Sequence, residues 1–226
     1  VDALIAQGEA KERALFTVIK RYLKECRDIR FDGNGYSEEW QQEAERRGLD
    51  IETSVPVMID QYLREESVQM FGSTGVLNRA ELLARSEVKW ENYSMKLQIE
   101  SRVLGDLVIN HIIPAAKRYQ NVLLQKVVGV KQVFSESDAA ALNEQDMQLI
   151  RRIENHTGAI VAKVEKMNRE RAHANHIDNQ RERAITFHDK VVPLMENVRS
   201  HVDDLEMVID DQLWPLPKYR ELLFIH

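Results

Sequence analysis

Breakers, cysteines and long apolar runs are all scarce in this chain, and each scarcity removes a class of protein. Across 226 residues there are nine glycines and five prolines. So few chain-reversing residues argue against a turn-rich β architecture and for long helices. The single cysteine, Cys26, cannot form a disulfide within the chain or a Cys-rich zinc site, so a reducing compartment, the cytoplasm, is expected. No apolar run approaches the roughly 20 residues that span a bilayer. The first residues also lack a basic segment followed by an apolar one, so no membrane or secretory role is expected. Aromatic residues make up only 7%.

Charge is abundant, with 30% of residues ionisable at neutral pH and a formal net charge of −6. That balance favours solubility and argues against a general role in nucleic-acid binding. Apolar residues at steps of three and four dominate what remains. The fold class expected is therefore all-α: long amphipathic helices in a bundle, with a coiled-coil-like helical hairpin and a docked tail containing Pro and Trp.

An opening helix, carrying Leu4, Ile5, Leu15, Val18, Ile19, Tyr22 and Leu23, is expected to run to about Arg30. Cys26 lies among Ile19, Tyr22, Leu23 and Ile29 at helical spacing, which predicts a buried thiol. A turn at Gly33-Asn34-Gly35 follows, then a short helix capped by Ser37 and stopped at Gly48. Thr53 or Ser54 caps the next helix, with Pro56 in its first turn and a stop at Gly72 to Gly75. Asn78 and Glu81 form a capping-box pattern before a helix reaching about Lys126, kinked at Pro114, whose segment 97–113 is expected to be the most buried. A connector is predicted over 127–137, where a boundary could divide an otherwise single helical domain covering 1–226.

Two stripes complete the pattern. Ile150, Ile153, Thr157, Ile160, Val164, Met167 and Arg171 form one, and Phe187, Val191, Leu194, Val198, Val202, Leu205 and Ile209 the other. Both step by threes and fours, which predicts a paired hairpin joined by the polar stretch 170–183. Pro193 either kinks the second helix or marks its start. The segment from Trp214 to Phe224 cannot continue a helix through Pro215 and Pro217, yet it is too apolar to stay undocked.

Short chemical motifs are incomplete. Glu170, His173 and His176 match half of a carboxylate-bridged di-iron pattern, and the second half is absent, so surface histidines are expected. Lys163, Lys166, Arg169, Arg171, Arg181 and Arg183 are interleaved with acids and read as a mixed-charge helix face. Asp203, Asp204, Glu206, Asp210 and Asp211 lack the spacing of a calcium loop and read as an acidic surface. The glycine turns at 33–35 and 72–75 match neither a P-loop nor a dinucleotide fingerprint. No residue is read as catalytic, cofactor-binding or metal-ligating.

Three longer blocks carry more information. They are Arg27-Asp-Ile-Arg-Phe-Asp-Gly-Asn-Gly-Tyr-Ser-Glu-Glu-Trp40 with Glu43-Ala-Glu-Arg-Arg-Gly-Leu49, Arg102-Val-Leu-Gly-Asp106 with Asn110-His-Ile-Ile-Pro-Ala-Ala116, and Leu213-Trp-Pro-Leu-Pro-Lys-Tyr-Arg-Glu-Leu-Leu-Phe224. Together they resemble the C-terminal region of type III glutamine synthetases. The resemblance implies a parent enzyme that joins ammonia to glutamate using ATP, through γ-glutamyl phosphate, with magnesium or manganese. It also implies assembly as stacked hexameric rings, with the catalytic core of the same polypeptide as this region's partner. The family's catalytic motifs lie in a β-rich core and have no match here. The implied role is therefore non-catalytic: assembly, or shaping of an active-site entrance. The chain's start at Val1, already inside a helical pattern, fits a piece of something longer. Arg30, Asp32, Asn34, Tyr36 and Trp40 crowd polar and aromatic groups around the glycine turn, as a supporting loop for a site or a buttressed turn. The alternative is a free-standing adaptor or oligomerisation module using the two stripes as its interface.

Overall fold

Scarce glycine and proline translate into helices of up to 40 residues, and no strand forms among the described residues, 1–223, of the computed structural model. The chain divides into two compact units, Val1–Thr53 and Ser54–His226.

The first unit contains α1 (Asp2–Ala6), α2 (Lys11–Glu25), a 3-10 turn (Arg27–Ile29) and α3 (Glu38–Arg46). The expected single opening helix is interrupted at Gly8, whose φ of +96° is costly for any residue with a Cβ. The N–H groups of Gly8 and Glu9 close the turn on the carbonyls of Ile5 and Leu4. Helix α2 buries Ala14, whereas Phe16, Ile19, Tyr22 and Leu23 are exposed. Cys26 is accordingly half-buried, and its expected apolar surround of Ile19, Tyr22, Leu23 and Ile29 is open to solvent. Ser37 caps α3, its Oγ accepting from the N–H of Trp40, while Gly48 at φ +72° ends it.

The second unit begins with Ser54 at the N-cap of α4 (Val55–Ile59) and Pro56 in its first turn. One helix to Gly72 was expected here; instead a 3-10 turn (Asp60–Leu63) and α5 (Glu65–Ser73) follow. Trp90 holds this corner, donating its indole N–H to the Pro56 carbonyl at 2.9 Å. Asn78 and Glu81 form the anticipated capping box of α6 (Arg79–Leu107), each side chain accepting from the other's backbone N–H.

Pro114 does not simply kink the helix. A π turn over Val108–Ile112 precedes it, and α7 (Ile113–Val133) starts with Pro114 at its second position. Proline lacks an N–H and clashes with the carbonyl four residues back, so the widened turn absorbs both defects without breaking the rod. The same device recurs before Pro193: α9 (Gln180–Thr186) passes through a π turn at Phe187–Val191 into α10 (Val192–Glu206). Segment 97–113 is buried along one face, where Ser101, Gly105, Val108 and Ile112 point inward, while Ile99, Val103 and Ile109 are exposed.

The largest set of buried residues lies on α8 (Glu136–Asn175), which packs against both α7 and α10. The connector expected over 127–137 shrinks to Phe134 and Ser135, with Ser135 capping α8, so 127–137 is a tight reversal inside the second unit. Asn143 donates to the Val127 carbonyl and Gln120 to that of Ile150, pairings that run antiparallel. On the other side Ile153, Ile160, Met167, Phe187, Val191, Val198 and Leu205 are fully buried together. Each contributes about 1.5–3 kcal/mol of apolar burial. The two stripes thus cover each other within one chain and are not free to serve as an interface for a second protein, as the adaptor alternative required.

The tail docks through Trp214, which joins this core with Leu213 and Leu216 packed against it. The Lys218 ammonium donates to the Glu206 carbonyl and pairs with Asp211. Tyr219 and Leu222 of the short α11 (Tyr219–Leu222) and the following Leu223 are exposed. Phe224 lies outside the described residues. No helix among the described residues is long and apolar enough to cross a membrane.

Candidate functional site

The glycine turn of the first unit is built from its backbone outward. Asn34 Oδ1 accepts from the Tyr36 N–H at 3.0 Å, closing an Asx turn, and the Ser37 hydroxyl donates to the Asn34 carbonyl. Phe31 then lies flat on Trp40, ring centroids 4.1 Å apart and planes inclined by 23°. Gly33 permits this, because a Cβ there would collide with the Phe31 ring. Arg47 completes the assembly. Its guanidinium sits 5.5 Å from the Trp40 ring centroid, donates to the Arg30 carbonyl at 2.7 Å, and pairs with Glu43 at 2.5 Å. Glu43 also accepts a two-pronged pair from Arg46. Hydrogen bonds from Arg46 first and Arg47 second, aided by their positive charges, hold its carboxyl down at about 2.

Of the five residues read from the sequence, Trp40 enters the packing and Asn34 forms the turn. Arg30 contributes its carbonyl, while the side chains of Arg30, Asp32 and Tyr36 are exposed, Tyr36 at 97%. They do not converge on a common point. Arg47 organises the loop, yet from sequence it reads only as a basic last turn of α3. Its doublet with Arg46, three and four residues after Glu43, was the available signal. Arg27, Asp28, Arg46 and Arg47 line a cleft of about 370 Å³ beside the loop.

His173 and His176 are exposed on the last turns of α8. A different histidine pair comes together instead. His156 of α8 and His201 of α10 face each other with Nδ1 atoms 3.0 Å apart, and Asp204, one turn beyond His201, places Oδ2 at 3.8 Å from His156 Nδ1. Burial lowers the His156 pKa. Asp204 opposes that shift, and His201 and Arg152 add to it. These residues are 45 apart in sequence, so only the register of the α8–α10 seam reveals them. Each follows a buried stripe residue, Ile153 or Val198, by three.

Residues 14–131 match the model of the glutamine synthetase C-terminal domain. The chain belongs to that family. Within this glutamine synthetase C-terminal domain the matched segment contains the loop, α3 and most of the path to the first reversal. Similarity extends further in whole-chain comparisons. A glutamine synthetase of Bacteroides fragilis is 45% identical over 224 residues, covering 99% of this chain and 31% of that protein. A type-3 glutamine synthetase of Dictyostelium discoideum is 27% identical over 96% of this chain and 29% of its own length. A glutamine synthetase of Butyrivibrio fibrisolvens is 24% identical over 96% and 30%. The chain thus spans under a third of the length of the curated glutamine synthetases it matches.

Proposed function

We propose that the chain is the non-catalytic, helical C-terminal part of a cytoplasmic type III glutamine synthetase, and that it serves assembly of the enzyme and shapes its active-site entrance. The parent reaction is ligation of ammonia to glutamate, driven by ATP through γ-glutamyl phosphate. ATP and magnesium or manganese are held by a catalytic core elsewhere in the polypeptide. The residues of this chain do not suit that ion: magnesium and manganese favour carboxylates and waters, whereas the closest three-donor group among the described residues offers two imidazoles.

One observation carries the assembly role. Large apolar side chains stand exposed at helical spacing: Phe16, Ile19 and Leu23 on α2, and Met95, Ile99 and Val103 on α6. Contiguous apolar surface of this kind marks a face that another polypeptide surface covers. The covering surfaces are the catalytic core of the same polypeptide and neighbouring subunits of a homo-oligomer, in stacked hexameric rings.

The test substitutes Ile99→Glu together with Val103→Glu in the full-length enzyme. Mass by light scattering should fall below that of the intact oligomer, and glutamine formation should fall with it. Because both side chains are solvent-facing, the doubly substituted chain by itself should melt as the parent chain does. An intact oligomer with full activity would overturn the assembly role. Glutamate- and ammonia-dependent ATP cleavage by this chain alone would overturn its non-catalytic character.

A further inference from the structure

We infer that His156, His201 and Asp204 form a binding site for a zinc-class divalent transition metal that clamps α8 to α10. One ligand atom from each, a ring nitrogen of either histidine and a carboxylate oxygen, all lie within 4.8 Å of one another. Nitrogen and oxygen ligands at ordinary zinc distances stand about 3.3–3.6 Å apart around a tetrahedral ion. The observed separations of 3.0 Å between the imidazoles and 3.8 Å to the carboxylate bracket that value.

Without a metal the two Nδ1 atoms meet in a single hydrogen bond that a cation can replace. Two neutral imidazoles facing Nδ1 to Nδ1 share one proton as an N–H···N hydrogen bond, and a second proton there would set two N–H groups against each other 3.0 Å apart. For a metal to take both lone pairs, the donor imidazole shifts to its Nε2–H tautomer, its Nδ1 proton exchanging through solvent. Asp204 supplies a negative charge that offsets half of the ion's. Its competitor is Arg152, whose Nη2 lies 3.9 Å from the other carboxylate oxygen. That pair is long and exposed, so giving it up costs little.

The scaffold is rigid. Ile153 and Ile160 flank His156, and Val198 and Leu205 flank His201, all fully buried in the seam that fixes the register of the two helices. Imidazole with a single carboxylate selects zinc, cobalt or nickel over the hard cations of phosphoryl-transfer sites. The metal stabilises the seam by binding only the folded pairing.

The experiment titrates the metal-free full chain with zinc chloride against a chromophoric zinc chelator, with thermal melts in parallel. One equivalent should bind, and the melting temperature should rise with added zinc. His156→Ala and His201→Ala should each weaken binding by at least about ten-fold and abolish the zinc-dependent rise, as expected when a ligand is lost. Asp204 is half exposed, so Asp204→Asn keeps the fold and should weaken zinc binding to a lesser degree. The double substitution His173→Ala, His176→Ala should leave the titration unchanged. Undiminished zinc affinity in His156→Ala, His201→Ala or Asp204→Asn overturns the site, as does loss of binding in the His173, His176 variant.

Discussion

Glu43 serves two arginines at once, and its acidity registers that service. With its folded value near 2, against about 4.5 for a free carboxyl, it stabilises the first unit fully above pH 4.5. That contribution is lost as pH falls toward 2, because protonation then removes the acceptor for both guanidinia. Denaturant unfolding of the parent chain between pH 7 and pH 2 should show this acid-limb loss, and Glu43→Gln should flatten it. A parallel slope in the variant would place the acid sensitivity elsewhere. Gly33 makes a second claim at this scale. Gly33→Ala should push Phe31 off Trp40 and cost about 0.5–1.5 kcal/mol, the worth of one aromatic pair, read as a lower denaturation midpoint. The turn chemistry of Asn34 and Ser37 was legible from residue type alone. The His156–His201 pair and the reach of Arg47 to the Arg30 carbonyl were not, because their partners lie 45 and 17 residues away.

At the level of elements, the capping box at Asn78 was readable because both partners lie within one turn. Asn78→Ala should lower stability by about 1 kcal/mol with an unchanged denaturant slope, as loss of a helix cap does. The two long stripes were legible for the same local reason, since a period of three and four survives over several turns. What sequence left open was whether they face each other or a partner. Val198 is fully buried between them. Val198→Glu should therefore unfold the second unit, as loss of the cooperative melt, rather than dissociate an oligomer, since a carboxylate there has no partner and no water. Gly8 was passed over because a lone glycine is tolerated inside many helices, and only its positive φ shows the break. Pro114 and Pro193 signalled disturbance without specifying its form, since a kink and a π turn answer the same missing hydrogen bond.

For the molecule as a whole, stability and association reside on different surfaces. Trp214 closes the core of the second unit, so Trp214→Ala should cost about 3–5 kcal/mol by cavity formation and lower its unfolding midpoint. The exposed residues of α2 contribute nothing comparable to folding. Instead they should drive concentration-dependent self-association of the chain in isolation, visible by sedimentation, which Phe16→Glu with Ile19→Glu should suppress. The expected burial of Cys26 failed on this point: periodicity identifies an apolar face but not which polypeptide covers it. The paired π turns bear on how such a protein tolerates length change. Each carries one residue more than an α turn would, and each residue in a helix advances the face by about 100°. Deleting a single residue within 108–112 or 187–191 would restore plain helical register and rotate the rod beyond it, carrying the apolar faces of α7 or α10 away from α8. Insertions and deletions are therefore admissible at the reversals around residues 134 and 176–179, and forbidden in the two segments where the helix is already one residue out of step.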